Sequence, residues 1–374
     1  MARPRVLLYC HDGMGLGHLR RISRLAGALK ERFSTLVLSG LREAAWIVPS
    51  GCGLVKLPDW DGISRQRSER AGVTPWIDLS GEEANAFRAG AIREMAALYG
   101  PDAIVVDYLP FGQRRELEGL LASRDTLRYF LHRGLSDTSD RGILRGEATR
   151  EIAARYHRIL VAADPRLVDV AAEDEYCAEA RARLTYVGFI APPAAPRGPD
   201  WSPAVVCSGG GGYLAEETML ACLAVAGRHP RIPFRIVLGP RSRLSAAELS
   251  PPANCELWQR RDDLPELHRS AAVVVSSGGY NSVLESAFGG ARLIIRPSQT
   301  GDDDEQLRFA ERLSAHHPVC RLDRLDGLED AILRNWAAAL ERPAPPLRMR
   351  VGGGERIGEI LAEDLAARVS TGAR

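Results

Sequence analysis

The stretch SSGGYNSVLE, residues 276–285, indicates the fold of this chain more clearly than any other. It follows the apolar run AAVVV, residues 271–275, and it opens a helical pattern that stops at Gly289 and Gly290. A glycine loop between a buried strand and a helix brings backbone N–H groups up to a phosphate, and the helix N-terminus stabilises the negative charge. Glu285, on the second or third turn of that helix, is placed to accept hydrogen bonds from the hydroxyls of a ribose. The stretch therefore predicts a site for a nucleotide diphosphate.

Short apolar runs alternate with longer helical patterns on both sides of this stretch. Such alternation predicts parallel sheets with helices on both faces, and 374 residues are too many for one typical core. Ligands of such sheets bind outside the carboxyl ends of the strands, so the cleft between two α/β domains is the expected site. The predicted strands are residues 5–10, 35–40, 53–58, 103–107, 127–131, 158–162, 184–188, 204–207, 234–238, 255–258, 272–276, 292–296 and 318–321.

A proline-rich segment divides the two sets of strands. APPAAPRGPDWSP, residues 191–203, cannot join a sheet and predicts a stiff linker. The expected domains are therefore residues 1–190 and residues 204–345, and the second contains the predicted diphosphate site. Residues 346–374 carry a last helix with apolar residues at helical spacing, which is expected to pack back on the first domain.

Composition excludes several classes of function. The net charge is +1 and the pI about 7.7, so neither nucleic acid nor an anionic membrane is favoured as a partner. Seven scattered cysteines without a CxxC pair predict buried free thiols in a reducing cytoplasm. The apolar run at the N-terminus is too short for a signal peptide, and no stretch has the length of a membrane span. The chain is therefore expected in the cytoplasm.

The first-domain glycine loop, HDGMGLGHLRR at residues 11–21, contains the best candidate for a catalytic base. His18 lies at the turn from loop to helix, where a helix N-terminus lowers the pKa of a histidine and keeps it neutral. Asp107, at the end of the strand AIVVD, is expected to orient His18 or to steer an acceptor. His11 is a weaker candidate. Arg20 and Arg21 are predicted either to be solvated or to include one that faces an anionic ligand.

The same loop permits a dinucleotide interpretation. Gly13, Gly15 and Gly17 make a weak match to the G-x-G-x-x-G fingerprint. The second strand ends in SGLR, without the acid that would hold the ribose of NAD, although Arg42 could face an NADP phosphate. A dehydrogenase is therefore the weaker reading.

Further candidates lie in the second domain. The loop SGGGG, residues 208–212, follows a strand, and its glycines favour close approach of backbone to a phosphate. Trp258 is expected to line a pocket for the base. The run GDDDEQ, residues 301–306, is typical of a solvated acidic loop or of sugar contacts, because a hard-cation site needs ligands that converge from several places. We therefore expect sugar contact from Asp304, Glu305 or Gln306, and no metal.

Together these motifs resemble the GT-B glycosyltransferases. GGYNSVLE, residues 278–285, is similar to the donor-binding signature of the UDP-sugar glycosyltransferases and of the N-acetylglucosaminyltransferase that forms lipid II. GLGH, residues 15–18, is similar to the N-terminal loop whose histidine serves acceptor activation. The resemblance implies the GT-B fold, in which two Rossmann-like doubly wound domains face a cleft. It also implies that residues 1–190 are the acceptor side and that residues 204–345 bind the nucleotide sugar. The implied donor-binding residues are Gly15, Gly17, Ser208, Gly209, Gly210, Gly211, Trp258, Ser277, Gly278, Gly279, Tyr280, Asn281, Ser282, Glu285, Asp304, Glu305 and Gln306.

The sequence departs from this pattern in two places. Ser277 stands where the signature usually has a histidine, and the basic residue expected after LTYVG, residues 184–188, is missing. GLGHLRR is also similar to a nucleotide-sugar hydrolase of the same fold, whose loop histidine acts on water. Transfer and hydrolysis therefore both remain open at this point.

The sequence as a whole predicts an inverting glycosyltransferase. It uses a nucleotide-diphosphate sugar, UDP-linked as the first choice, and His18 takes the proton of an acceptor hydroxyl. No metal and no cofactor beyond the donor substrate is required. The acceptor is a small molecule or is lipid-linked, and the latter leaves membrane contact open. A nucleotide-sugar hydrolase or epimerase is the alternative, and a non-catalytic nucleotide-sugar binder is a second rival.

Overall fold

A computed structural model describes most of the chain. The described residues are 2–12, 15–66, 69, 73–122, 125–135, 145, 147–173, 175–191, 201–209, 213–297 and 304–370. They form two compact units. Unit 1 comprises Met1–Gly134, Arg141–Ile190 and Arg350–Arg374, and unit 2 comprises Leu135–Asp140 and Ala191–Met349.

Unit 1 is built on a parallel sheet of seven strands in the order β3-β2-β1-β4-β5-β6-β7. The central strands are almost wholly buried because helices cover both faces, which explains their nearly uninterrupted apolar runs. The strands are β1 Arg5–Cys10, β2 Ser34–Ser39, β3 Gly53–Lys56, β4 Ala103–Asp107, β5 Leu127–His132, β6 Arg158–Val161 and β7 Leu184–Tyr186. The order reverses between β1 and β4, which makes the carboxyl ends of these two strands the switch point of the sheet.

The helices of unit 1 connect these strands. The longest of them, Gly81–Tyr99, begins at a capping box. In it the Ser80 side chain accepts from the N–H of Glu83, and the Glu83 carboxylate accepts from the N–H of Ser80. The helices are α1 Gly17–Leu29, α2 Ala44–Ile47, α3 Trp60–Ile63, α4 Gly81–Tyr99, α5 Glu118–Leu121, α6 Glu147–Arg155, α7 Val170–Glu173 and α8 Ala178–Arg181.

The C-terminal helix also belongs to unit 1. Its buried Ile357, Ile360 and Leu361 join the same apolar cluster as the inward face of α1. Gly354 lets the two helices approach, since a Cβ there would lie 2.8 Å from the Cβ of Ala28. This helix is α14, Gly353–Ser370, because the five helices of unit 2 precede it in the chain.

Unit 2 has a six-stranded parallel sheet in the order β10-β9-β8-β11-β12-β13. Its strands are β8 Val205–Ser208, β9 Phe234–Val237, β10 Cys255–Trp258, β11 Val273–Ser276, β12 Arg292–Ile295 and β13 Val319–Arg321. Its helices are α9 Tyr213–Arg228, α10 Leu264–Ser270, α11 Tyr280–Phe288, α12 Glu305–Ser314 and α13 Leu328–Glu341. The two sheets confirm the predicted fold class, a pair of doubly wound α/β domains.

Two further expectations concern the whole chain. All seven cysteines are free. Among the residues that the structure describes, no helix is both long enough and apolar enough to cross a membrane. Most of the proline-rich segment predicted as a linker, residues 192–200, lies outside the described residues.

Candidate functional site

His18 and Asp107 lie together at the carboxyl edge of the unit 1 sheet. β1 and β4 are parallel neighbours with Cys10 opposite Asp107, so the chain that leaves β1 passes beside the end of β4. The side chain of His18 keeps 13% of its surface exposed, whereas Asp107 is fully buried. The Nδ1 atom of His18 lies 2.9 Å from Oδ2 of Asp107. The structure thus brings together the histidine and the carboxylate singled out in the sequence, whose roles stay a prediction.

Arg21 is a third member of this group. It is only 2% exposed, and its Nε and Nη2 atoms lie 2.9 and 2.6 Å from Oδ1 of Asp107. It is therefore not the solvated arginine that is usual in a first helical turn. Its guanidinium fixes the Asp107 carboxylate from one side while His18 meets the other oxygen.

Two groups compete for Nδ1 of His18, because Nη2 of Arg21 also lies 2.9 Å from that atom. A carboxylate can only accept and a guanidinium can only donate. Since Arg21 already donates twice to Asp107, we assign the proton to Nδ1, which then donates a charge-assisted bond to Asp107. This tautomer leaves the lone pair on Nε2.

The charges follow from burial. Burial lowers the pKa of His18 to about 4, against the opposing influence of the Asp107 carboxylate. Burial alone would raise the pKa of Asp107, but the Arg21 guanidinium and His18 hold that pKa below its ordinary value. At neutral pH His18 is therefore uncharged and Asp107 is ionised, which is the state that a histidine general base needs.

Aromatic and cationic side chains surround His18. The ring of His11 lies 4.6 Å and that of Tyr108 4.9 Å from the His18 ring, between centroids. The guanidinium of Arg133 lies 4.0 Å over the Tyr108 ring and donates to the Tyr108 hydroxyl at 3.0 Å. Tyr108 has a φ of +71°, which non-glycine residues rarely adopt and which is common at functional sites. Sequence reasoning missed Tyr108 and Arg133, although each directly follows a strand of the structure, β4 and β5.

A buried ionic cluster anchors the start of the first-domain glycine loop. Arg88 is fully buried, and its guanidinium donates to Asp12 at 2.8 Å and to Glu116 at 2.7 Å. Asp12 also accepts from the backbone N–H of Gly40 at 2.8 Å. These bonds fix Asp12, the neighbour of His11, and none of them was predicted from the sequence.

The predicted donor contacts Gly15 and Gly17 also belong to unit 1. Gly17 is the first residue of α1, and a Cβ at Gly15 would meet no atom within 4 Å. Open space at Gly15 allows a ligand to approach the backbone. Their contact with a donor remains a prediction.

In unit 2 the stretch 276–285 folds as predicted, as the end of β11, a glycine turn and α11. Gly278 has a φ of +92°, and a Cβ there would lie 2.9 Å from Cγ2 of Ile295. Gly279 is the N-cap of α11, and nothing lies within 4 Å of a Cβ placed on it. A glycine cap brings no side-chain oxygen to the first N–H groups of the helix. This end of α11 is therefore suited to receive an anion.

The other residues of this turn differ in exposure. Asn281 is 6% exposed, whereas Ser277, Tyr280 and Ser282 are partly exposed. The ring of Tyr280 stacks on Phe309 of α12 at 5.6 Å between centroids. Ser277 and Ser282 therefore both carry hydroxyl groups on partly exposed residues of the turn.

Glu285 lies in the interior of unit 2. Its side chain is fully buried, and its Oε2 atom lies 2.7 Å from Nδ1 of His268. The Nε2 atom of His268 in turn lies 2.8 Å from Oγ of Ser208. The ribose contact predicted for Glu285 stays a prediction, and in this structure its carboxylate bonds to another buried side chain of unit 2.

The remaining unit 2 candidates lie at the same edge of the sheet or near it. A Cβ on Gly209 would lie 2.8 Å from the Cβ of Ala215 and 2.3 Å from Cε of Met219, so glycine is favoured after Ser208. Gly210 and Gly211 lie outside the described residues. Gln306, at the start of α12, has its Cβ 3.4 Å from a Cβ placed on Gly278, which brings it beside the turn.

Three candidates have less distinctive surroundings. Asp304 and Glu305 are partly exposed at the start of α12, where Asp304 is the N-cap. Trp258 is partly exposed, and the guanidinium of Arg261 lies 4.3 Å over its ring. Arg261 therefore covers one face of the indole on which a base was expected to pack. Within the described part of the chain, no group of three or more His, Cys, Asp or Glu side chains could hold a metal ion.

Comparison with solved structures shows the GT-B glycosyltransferase fold. The match to the glycosyltransferase of kitacinnamycin covers 98% of this chain and 100% of that chain, with 16% identity and a TM-score of 0.62. The match to UGT2 of Phytolacca americana, complexed with UDP-2-fluoro-glucose and pterostilbene, covers 97% of this chain and 100% of that chain, with 15% identity and a TM-score of 0.59. The match to the spinosyn rhamnosyltransferase SpnG, complexed with thymidine diphosphate, covers 99% of this chain and 100% of that chain, with 16% identity and a TM-score of 0.56. No protein-family model and no curated protein matches the chain by sequence.

Proposed function

We propose that this protein is an inverting glycosyltransferase that uses a nucleotide-diphosphate sugar. The observation that carries the proposal is the pairing of His18 with Asp107, which leaves an uncharged imidazole with a free lone pair on Nε2. The fold supports it, since similar structures are glycosyltransferases.

In the proposed reaction unit 2 holds the donor. The turn at Ser277–Gly279 and the N-terminus of α11 receive the diphosphate, and Asp304, Glu305 and Gln306 contact the sugar. The backbone N–H groups at a helix end are preorganised, so they stabilise the charge of the leaving group without rearrangement. Uridine is the first choice of base, and the thymidine diphosphate bound by a neighbour makes dTDP the second.

Unit 1 supplies the base and the acceptor site. His18 Nε2 takes the proton of an acceptor hydroxyl as that oxygen bonds to the anomeric carbon. The bond from the anomeric carbon to the phosphate oxygen breaks, and the nucleoside diphosphate leaves with the electron pair. Asp107 stabilises the imidazolium that forms, and one displacement inverts the anomeric configuration. A positioned base of this kind contributes about 10²–10⁴ in rate.

An apolar acceptor fits the exposed surface of unit 1. Trp76 is 63% exposed and Phe87 43%, and their ring centroids lie 6.4 Å apart. Exposed aromatic pairs of this kind are typical of binding surfaces. The acceptor is therefore proposed to be an apolar or aromatic small molecule, with a lipid-linked acceptor as the alternative.

Stereochemistry and metal dependence test the mechanism. We expect ¹H NMR of a reaction started from an α-linked donor to show the β-linked product first, and we expect EDTA to leave the rate unchanged. A product that retains the α configuration, or a reaction abolished by EDTA and restored by Mg²⁺, would contradict it.

A further inference from the structure

Three buried polar side chains of unit 2 form a continuous hydrogen-bonded chain. Ser208 at the end of β8, His268 on α10 and Glu285 on α11 are 6%, 0% and 0% exposed. Oγ of Ser208 lies 2.8 Å from Nε2 of His268, and Nδ1 of His268 lies 2.7 Å from Oε2 of Glu285. Buried polar groups are costly unless they are bonded, so these three specify one arrangement of three elements.

One end of this chain lies beside the proposed anion site. β8 pairs with β11, with Cys207 opposite Val275, so Ser208 and Ser276 end neighbouring strands at the same edge. Ser276 bonds to the backbone N–H of Gly278, which begins the turn before α11. Glu285 lies on that same helix, five residues after Tyr280 at its first position. The hydrogen-bonded chain thus connects the end of β8 to the helix whose N-terminus faces the anion.

The protons of this chain determine what Ser208 can do. A carboxylate only accepts, so Nδ1 of His268 carries a proton that it donates to Glu285. If Nε2 is unprotonated, it accepts the single hydroxyl proton of Ser208, which then has only lone pairs to offer. If Nε2 carries a proton, it donates to Oγ of Ser208, and the hydroxyl proton is free to bond to an anionic oxygen.

Glu285 favours the second arrangement. A fully buried carboxylate is stabilised by a full positive charge that is hydrogen-bonded to it, and doubly protonated His268 supplies one. A hydrogen bond from a hydroxyl to a charged oxygen is stronger than one to a neutral group. An anion at Ser208 and a carboxylate at Glu285 therefore both stabilise the imidazolium between them.

We propose that His268 and Glu285 are positioning residues that turn the Ser208 hydroxyl toward a phosphate oxygen of the donor. The proposal rests on the proposed function, since the anion is the diphosphate of the nucleotide sugar. It replaces the ribose contact first expected of Glu285 with an action through two other side chains.

The test is calorimetric titration with two probes, UDP and inorganic pyrophosphate. Loss of one hydrogen bond to a charged group should weaken binding of both probes about tenfold in Ser208→Ala and by a similar factor in Glu285→Gln. The double variant should bind no more weakly than either single variant, because both changes remove the same bond. Glu256→Gln, an exposed pair with Arg235 on the same unit, is the matched control and should bind as the wild type does.

Each other result has a definite meaning. If Glu285→Gln weakens UDP but not pyrophosphate, Glu285 acts on the nucleoside and the inference is overturned. Additive effects in the double variant also overturn it, as does labelling of Ser208 by a fluorophosphonate, which would make that serine a nucleophile. Wild-type protein that binds pyrophosphate but no nucleotide contradicts the proposed function alone, whereas protein that binds neither contradicts both.

A spectroscopic measurement supplies an independent reading. The ¹⁵N shifts of the His268 ring should show both nitrogens protonated in the wild type with pyrophosphate bound, and this signature should be lost in Glu285→Gln. If Glu285→Gln fails to fold, Ser208→Ala removes only a hydroxyl and keeps the test open. An unprotonated Nε2 in the wild-type complex would refute the proposed direction of the hydroxyl.

Discussion

Replacing Asp107 with asparagine should reveal how strongly unit 1 depends on one buried carboxylate. Asp107→Asn keeps the size of the side chain and an oxygen that can accept from His18. It removes the negative charge that faces Arg21, whose side chain is 3% exposed. Breaking a buried ion pair by removing one partner costs about 3–5 kcal/mol, since the other charge is left uncompensated. In a domain of this size each kcal/mol lowers the melting temperature by about 2–4 °C, so we expect a decrease of about 6–20 °C.

The assay is differential scanning calorimetry, with hydrogen exchange used to assign the affected transition to unit 1. Asp78→Asn is the matched control, because Asp78 also pairs with an arginine, Arg65, through three hydrogen bonds but is 54% exposed. Its melting temperature should change little. Adding Arg21→Met to Asp107→Asn should restore part of the lost melting temperature, because it removes the uncompensated guanidinium of Arg21. Equal decreases for Asp107→Asn and Asp78→Asn would refute the reasoning.

The remaining predictions concern pH and four glycine positions. The pKa of His18, about 4, lies below the ordinary 6.5, so kcat/KM should stay level from neutral pH down to about 5 and fall below that; an inflection near 6.5 would contradict the assignment. Because the unfolded chain binds more protons between these values, His18 should also lower the stability of unit 1 as pH falls from about 6.5 to 4, measured by urea unfolding. Gly278→Ala should cost about 1–3 kcal/mol and weaken UDP binding, whereas Gly227→Ala on α9, where no atom lies within 4 Å of an added Cβ, should leave UDP binding unchanged; equal effects in calorimetry would count against the turn geometry. Gly354→Ala should destabilise unit 1 by about 1–3 kcal/mol, because the new Cβ would crowd Ala28 of α1. Its control is Gly90→Ala on α4, which has open space around it and should stabilise unit 1 by about 0.5–1 kcal/mol. The opposite order in thermal unfolding would refute the packing of α14.

The fold could be predicted because its signals are local. Each parallel strand is buried on both faces, so it appears in the sequence as a short apolar run, and every predicted strand is present. The proximity of His18 and Asp107 could also be expected, since Asp107 ends β4 and His18 belongs to the first-domain glycine loop, which follows the neighbouring strand β1. The rule that ligands bind at this edge depends on topology alone.

The parts of the site that were missed depend on contacts between distant segments. The spacing of Glu285 shows that it lies on a helix, but its burial depends on His268, which precedes it by 17 residues on another helix. The sequence left Arg21 either solvated or facing an anionic ligand, because nothing local marks its bond to Asp107, 86 residues later. The positive φ of Tyr108 has no signature in a tyrosine. Such pairings are fixed by packing, which periodicity does not report.

The central claim is that His18 serves as the base in a reaction of a nucleotide sugar. The most direct measurement is mass spectrometry of the protein incubated with UDP-, dTDP- and GDP-sugars, comparing wild type with His18→Gln. We predict that one donor is bound by both proteins, and that slow release of its sugar to water by the wild type falls about 10²–10⁴-fold in the variant. Consumption of a donor at the same rate by both proteins would contradict the role of His18. Binding and consumption of no nucleotide sugar at all would contradict the proposed function itself.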